Sequence, residues 1–296
     1  MPRAKANGLE LEYDSFGVGA PIVLIMGIGT QMIFWDAAFC EGLAARGFRV
    51  IRFDNRDIGL STWLTSAGTP DIRGLIGRAA LGLPVTAPYT LSDMAADVVG
   101  LLDALALERA HIVGMSMGGM IAQHLALEAP ARVWSLTSIM STPGGRRHWI
   151  GDPRALSTLL GGRPKTKEEA VTFLVQAMKV LHGPALPFDE AEMRAHAAAA
   201  IARAWHPSGF PRHFAAILAS GNRTARLAGL RVPTLVIHGA EDPLVPVSAG
   251  IATARAVPGA TLHIVPKMGH SLPREVWPQV QDAIIEHARA AERAIR

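Results

Sequence analysis

Apolar and polar positions alternate over residues 8–13, the period-two pattern of a half-exposed strand. Over residues 22–26 the alternation gives way to a continuous apolar run that ends in Gly27-Ile28-Gly29. Such a run predicts a strand buried on both faces, as in a parallel sheet. Residues 34–46 have helical composition, closed by Gly47. Residues 48–53 repeat the buried-strand pattern and lead into the polar turn Asp54-Asn55-Arg56-Asp57. Residues 64–89, with four glycines and three prolines, read as irregular. Thr90 then stands as an N-cap, with Asp93 at the reach-back position where glutamate is usual. Met94, Val98, Leu101, Leu102 and Leu105 follow at helical spacing. Residues 111–114 predict a short strand, 119–129 a helix closed by Pro130, and 133–140 another strand.

Strands alternating with helices predict βαβ units and a mainly parallel sheet. The alternation stops after Thr142. Residues 143–226 carry no strand pattern and hold alanine-rich helical stretches such as 190–204. Strand patterns return at 234–238 and 261–265, and residues 277–294 close as a helix. The expectation is an α/β core formed by residues 1–142 and 227–296, with residues 143–226 as an inserted helical cap. An insertion at the C-terminal edge of the sheet lies over the place where open α/β sheets bind ligands.

Composition narrows the classes of function. The 296 residues are 49% hydrophobic and 18% charged, enough for a large core. The formal charge is +4, but acids and bases are mixed along the chain and no basic block with interleaved aromatics appears, so nucleic acid is not an expected partner. Cys40 is the only cysteine, which leaves no intramolecular disulfide and fits a cytoplasmic location. No apolar run suits a secretion signal or a membrane span. His-Glu-x-x-His, paired Cys-x-x-Cys and Walker-type loops are missing from the sequence, so no metal or other cofactor is expected. Monomer and homodimer both remain open.

The strongest chemical signal lies in residues 111–119, where Gly114-Met115-Ser116-Met117-Gly118 matches Gly-x-Ser-x-Gly between a strand and a helix. A nucleophilic serine needs such a sharp turn to project, and the flanking glycines let helix and strand approach without a Cβ clash. The free N–H groups of the helix start place the Met117 amide as an oxyanion donor. Serine is a weak nucleophile without a base. Of 11 histidines, His270 follows the strand at 261–265 in a loop able to reach across the sheet top, while histidines of the inserted block are rivals. Asp242, past the strand at 234–238, is the carboxylate candidate, with Glu241 its competitor. The order Ser116, Asp242, His270 is the chain order of α/β-hydrolases.

Residues 24–29, 50–61, the serine turn, residues 238–246 and Gly269-His270 together resemble the α/β-hydrolase superfamily over nearly the whole chain. Within it the chain is similar to small esterases and methyl esterases related to aclacinomycin methylesterase. The resemblance implies an α/β-hydrolase fold: a mostly parallel eight-stranded sheet, helices on both faces and a cap inserted after the sixth strand. It implies a second oxyanion donor, the Ile28 N–H, in a loop where many relatives carry His-Gly and this chain has Met26-Gly27. It also implies a structural role for the charged cluster Asp54, Arg56 and Asp57. The function expected is hydrolysis of small to medium apolar carboxylic esters through an acyl-enzyme, with a small-molecule ester as partner. Perhydrolysis, C–C bond hydrolysis, lactone opening and acyl transfer use the same triad and stay open, as does a ligand-binding protein with vestigial hydrolysis. Dehalogenase and epoxide-hydrolase chemistry is disfavoured, because Ser116 stands where those need aspartate. Trp35, Met115, Trp149, Phe188, Trp205 and Phe210 are the expected substrate-pocket residues.

Overall fold

The computed structural model describes residues 1–145, 151–162 and 164–295. Its centre is an eight-stranded sheet in the order β1-β2-β4-β3-β5-β6-β7-β8. Strands β3 (Ala20–Ile25), β4 (Phe48–Phe53), β5 (Ala110–Met115), β6 (Val133–Ile139), β7 (Thr234–Gly239) and β8 (Thr261–Val265) run parallel. Strands β1 (Arg3–Ala6) and β2 (Leu9–Phe16) form an antiparallel edge against β4.

The continuous apolar runs become strands with two buried faces, as a covered parallel sheet requires. In β3, Val23 and Ile25 pack into one core with helices α3 (Leu91–Ala104) and α4 (Met117–Glu128). Ile22 and Leu24, one residue out of phase, pack into the opposite core with α1 (Ala37–Ala44) and α11 (Trp277–Ile295). Each fully buried aliphatic side chain contributes about 1.5–3 kcal/mol. Helix α3 begins as its sequence predicts. Asp93 N–H donates to Thr90 Oγ1, and the Asp93 carboxylate accepts from the Thr90 N–H at 2.7 Å, so aspartate closes the capping box.

Two expectations are corrected. Helix α1 is shorter than residues 34–46, because Asp36 caps it by accepting from the Ala38 N–H. The stretch expected to be irregular contains α2 (Ile72–Ala80), capped by Asp71. Its apolar residues Ile72, Leu75, Ile76 and Ala79 follow helical spacing despite Gly74 and Gly77.

Strands β6 and β7 pair directly. Between them the chain leaves the sheet for helices α5 (Pro153–Leu160), α6 (Lys167–His182), α7 (Glu190–Arg203), α8 (Gly209–Ser220) and the short α9 (Thr224–Leu227). Helix α10 (Val247–Ala256) then joins β7 to β8. Charge pairs tie these inserted helices to the turn after β4. Arg203 of α7 reaches Asp54 Oδ2 at 2.6 Å, and Arg212 of α8 forks onto Asp57. Arg56, in the same turn, pairs instead with Asp97 of α3 through two contacts of 2.6 Å. Among the described residues no helix is long and apolar enough to cross a membrane.

Candidate active site

Ser116 sits in the turn between β5 and α4 with φ 55° and ψ −119°, a left-handed backbone that costs a non-glycine residue about 1–3 kcal/mol. The surroundings hold it there. Its N–H donates to Ile139 O at 2.9 Å, and its carbonyl accepts from Gly119 N–H at 2.9 Å and Ser141 Oγ at 2.8 Å. A Cβ at Gly118 would fall 2.1 Å from Ile25 O, so only glycine lets α4 start this close to β3.

His270 comes from the loop after β8 and Asp242 from the loop after β7. His270 Nε2 lies 3.0 Å from Ser116 Oγ, and His270 Nδ1 lies 2.7 Å from Asp242 Oδ2. The other Asp242 oxygen accepts from the Leu244 and Val245 N–H groups at 2.9 and 2.8 Å, so the carboxylate is oriented from both sides. Burial alone would raise the Asp242 pKa. The facing His270 and hydrogen bonds from His238 and His270 outweigh it and bring the carboxyl down to about 2. Glu241, the competitor in sequence, is exposed. The His270 backbone is itself pinned, its N–H donating to Leu181 O of α6 at 2.7 Å. His182, a rival from the inserted helices, bonds Ser271 Oγ at 3.1 Å and Leu186 O at 3.2 Å instead of reaching Ser116.

The loop after β3 faces the serine. A Cβ on Gly27 would lie 3.3 Å from Ser116 Cβ. Among the described residues the Ile28 and Met117 N–H groups donate to no acceptor. The loop is braced by Asn55 Nδ2 to Met26 O at 3.0 Å and by Gly29 N–H to His213 Nδ1 at 3.2 Å.

A cavity of about 1620 Å³ opens over Ser116 and His270. Met115, Phe188, Trp205 and Phe210 line it. Trp35 does not, which corrects its expected place: it is fully buried, stacked on Phe39 at 5.7 Å within the core around α1 and α11. Apolar composition near the loop could not distinguish a core wall from a cavity wall. Trp149 lies outside the described residues. The side chain of Met117 is buried among α3, α4 and the sheet and does not line the cavity. Sequence reasoning missed His213, Arg203 and Arg212. All three sit in or at the end of inserted helices whose local pattern gives no sign of partners 149 to 184 residues away.

A family model described as "alpha/beta hydrolase fold" matches residues 20–273. The chain is 31% identical to the rhodomycin D methylesterase DnrP of Streptomyces peucetius, over 98% of this chain and 99% of that protein. It is also 31% identical to a 2-hydroxy-6-oxononadienedioate/2-hydroxy-6-oxononatrienedioate hydrolase of Paraburkholderia xenovorans, over 88% of this chain and 84% of that one. The solved enol-lactonase of Burkholderia xenovorans superposes with a TM-score of 0.71 at 24% identity, covering 97% of this chain and 99% of that one.

Proposed function

The chain belongs to the α/β-hydrolase family, and from that premise we propose that it hydrolyses carboxylic esters with Ser116 as nucleophile, His270 as base and Asp242 as the carboxylate that orients it. The observation that carries this reading is the continuous chain of contacts from Ser116 Oγ to His270 Nε2 at 3.0 Å and from His270 Nδ1 to Asp242 Oδ2 at 2.7 Å.

In this mechanism His270 takes the Ser116 proton as Oγ attacks the acyl carbon. Asp242 fixes the tautomer and stabilises the imidazolium that forms. The Ile28 and Met117 N–H groups, which have no acceptor among the described residues, receive the developing oxyanion. Collapse of the tetrahedral intermediate breaks the acyl–oxygen bond, and His270 returns the proton to the leaving alcohol. Water, deprotonated by His270, then attacks the acyl-enzyme, releasing the acid and restoring Ser116.

Residues 143–226 act as the cap that selects substrate, since Phe188, Trp205 and Phe210 reach the cavity from this segment. A cavity of about 1620 Å³ exceeds the range usual for drug-sized ligands. It leaves room for a bulky ester, and similarity to a rhodomycin D methylesterase favours a methyl ester.

The test compares wild type and Ser116→Ala on p-nitrophenyl esters of rising acyl length and on methyl esters of polycyclic acids. Turnover by wild type that is lost in the variant supports the nucleophile, and a preference for bulky methyl esters supports the substrate class. Full activity in Ser116→Ala, or no turnover of any ester by wild type, overturns the reading.

A further inference from the structure

Two side chains of α8 grip Gly29. Its N–H donates to His213 Nδ1 at 3.2 Å. Its φ is +65°, and an added Cβ would come within 2.6 Å of Phe210 Cδ2, so only glycine fits beneath that ring. Phe210 and His213 stand three residues apart on α8 and therefore share one face of the helix.

The second nitrogen of His213, Nε2, lies 2.7 Å from the Arg56 carbonyl oxygen. A carbonyl only accepts, so Nε2 carries the ring proton, and Nδ1 of the neutral imidazole is left to accept from Gly29. The environment agrees with a neutral ring. His213 is fully buried, and that burial, against the opposing Arg56 carbonyl and Asp57 charge, holds its pKa below the ordinary histidine value.

These contacts bracket one peptide. Asn55 pins the Met26–Gly27 plane through Met26 O, and His213 pins the Ile28–Gly29 plane through the Gly29 N–H. The peptide between them, Gly27–Ile28, carries the Ile28 N–H. With both neighbours fixed, and with its own carbonyl, Gly27 O, accepting from Thr30 Oγ1 at 3.2 Å, this peptide has little freedom to rotate.

We propose that His213 is a positioning residue for hydrolysis: its Nδ1, accepting from Gly29, holds the 27–29 loop so that the Ile28 N–H stays aimed at the oxyanion. The proposal rests on the reading of Ile28 as an oxyanion donor. It assigns a role in catalysis to a helix of the inserted segment, through the backbone of the core.

Two amide substitutions separate the two ring nitrogens. In His213→Asn the side-chain oxygen falls near the place of Nδ1 and can still accept from Gly29. In His213→Gln the amide reaches the place of Nε2 and can serve Arg56 but leaves Gly29 N–H without an acceptor. The readouts are kcat and KM on a p-nitrophenyl ester, thermal midpoint, and inhibition by an aryl trifluoromethyl ketone, whose adduct with serine carries an oxyanion. In His213→Gln, kcat should fall roughly tenfold to a hundredfold while KM stays within about threefold, and the ketone should weaken in parallel. His213→Asn should keep kcat within about threefold of wild type.

An unchanged kcat in His213→Gln overturns the proposal, as does an equal fall in both variants. If neither variant folds, nitrogen NMR of histidine-labelled wild type decides: the Nε2–H tautomer at His213 supports the proposal and the Nδ1–H tautomer overturns it. Wild type separates this outcome from failure of the underlying reading. If wild type hydrolyses the ester and takes the ketone, the ester-hydrolase reading stands whatever the variants do. If wild type does neither, that reading fails and the role of His213 falls with it.

Discussion

Arg212 and Asp57 meet through two parallel hydrogen bonds, Nε to Oδ2 at 2.8 Å and Nη2 to Oδ1 at 2.7 Å, with both side chains buried. One residue belongs to α8 and the other to the turn after β4, so the pair joins the inserted helices to the sheet. Tyr89 Oη and the Leu64 N–H donate to the same carboxylate at 2.8 and 2.7 Å. Burial opposes ionisation of Asp57, yet these donors prevail and hold its pKa below the ordinary value.

Removing one partner strands a buried charge. Arg212→Met should therefore destabilise the protein by about 3–5 kcal/mol, whereas the double change Arg212→Met with Asp57→Leu should cost much less than the sum of the two single changes. Urea unfolding of the four proteins measures both quantities. Additive effects would show that the two groups are not coupled.

Asp242 predicts an acid-labile component of stability. Its pKa is depressed in the folded state, to about 2. A depressed carboxylate contributes stability that is complete above its unfolded value near 3.9 and is lost as pH falls through the folded value. The contribution is on the order of 2–3 kcal/mol. Unfolding midpoints of wild type and Asp242→Asn, followed from pH 5 to pH 2, should converge as the acid limit is approached. Parallel curves would remove Asp242 as the source. Above pH 4 Asp242 stays ionised, so it does not set an acid limb of activity there.

Cys40 should be inert in the native protein. Burial raises its pKa to about 12, outweighing the nearby Arg52 charge that favours the thiolate, and its Sγ lies 3.8 Å from Trp35 O inside the core. A thiol-specific aromatic disulfide should titrate no thiol in native buffer and one in denaturant. Rapid native labelling would contradict this burial.

What was legible in the sequence is what local chemistry specifies. The turn at Ser116 needs glycines at fixed offsets, and strands buried on both faces need unbroken apolar runs, so both leave a local record. Thr90 and Asp93 likewise announce the start of α3. Helix α2 was obscured because Gly74 and Gly77 interrupt a spacing that Ile72, Leu75, Ile76 and Ala79 otherwise keep. Trp35 was misplaced because an apolar residue beside a loop fits a core as readily as a cavity. His213 could not be singled out from 11 histidines, because its two hydrogen bonds reach backbone atoms of Gly29 and Arg56. A backbone partner imposes no residue type, and so leaves no matching mark in the chain.

The sequence distance between Ser116 and His270, 154 residues, has a consequence during synthesis. At about 5–20 residues per second, Ser116 leaves the peptidyl-transfer centre roughly 8–30 s before His270. For most of that interval β7 is not yet made, and the loop after β8 has not yet brought an imidazole beside Ser116. The nascent chain therefore holds Ser116 without the imidazole that lies 3.0 Å from its Oγ in the folded protein.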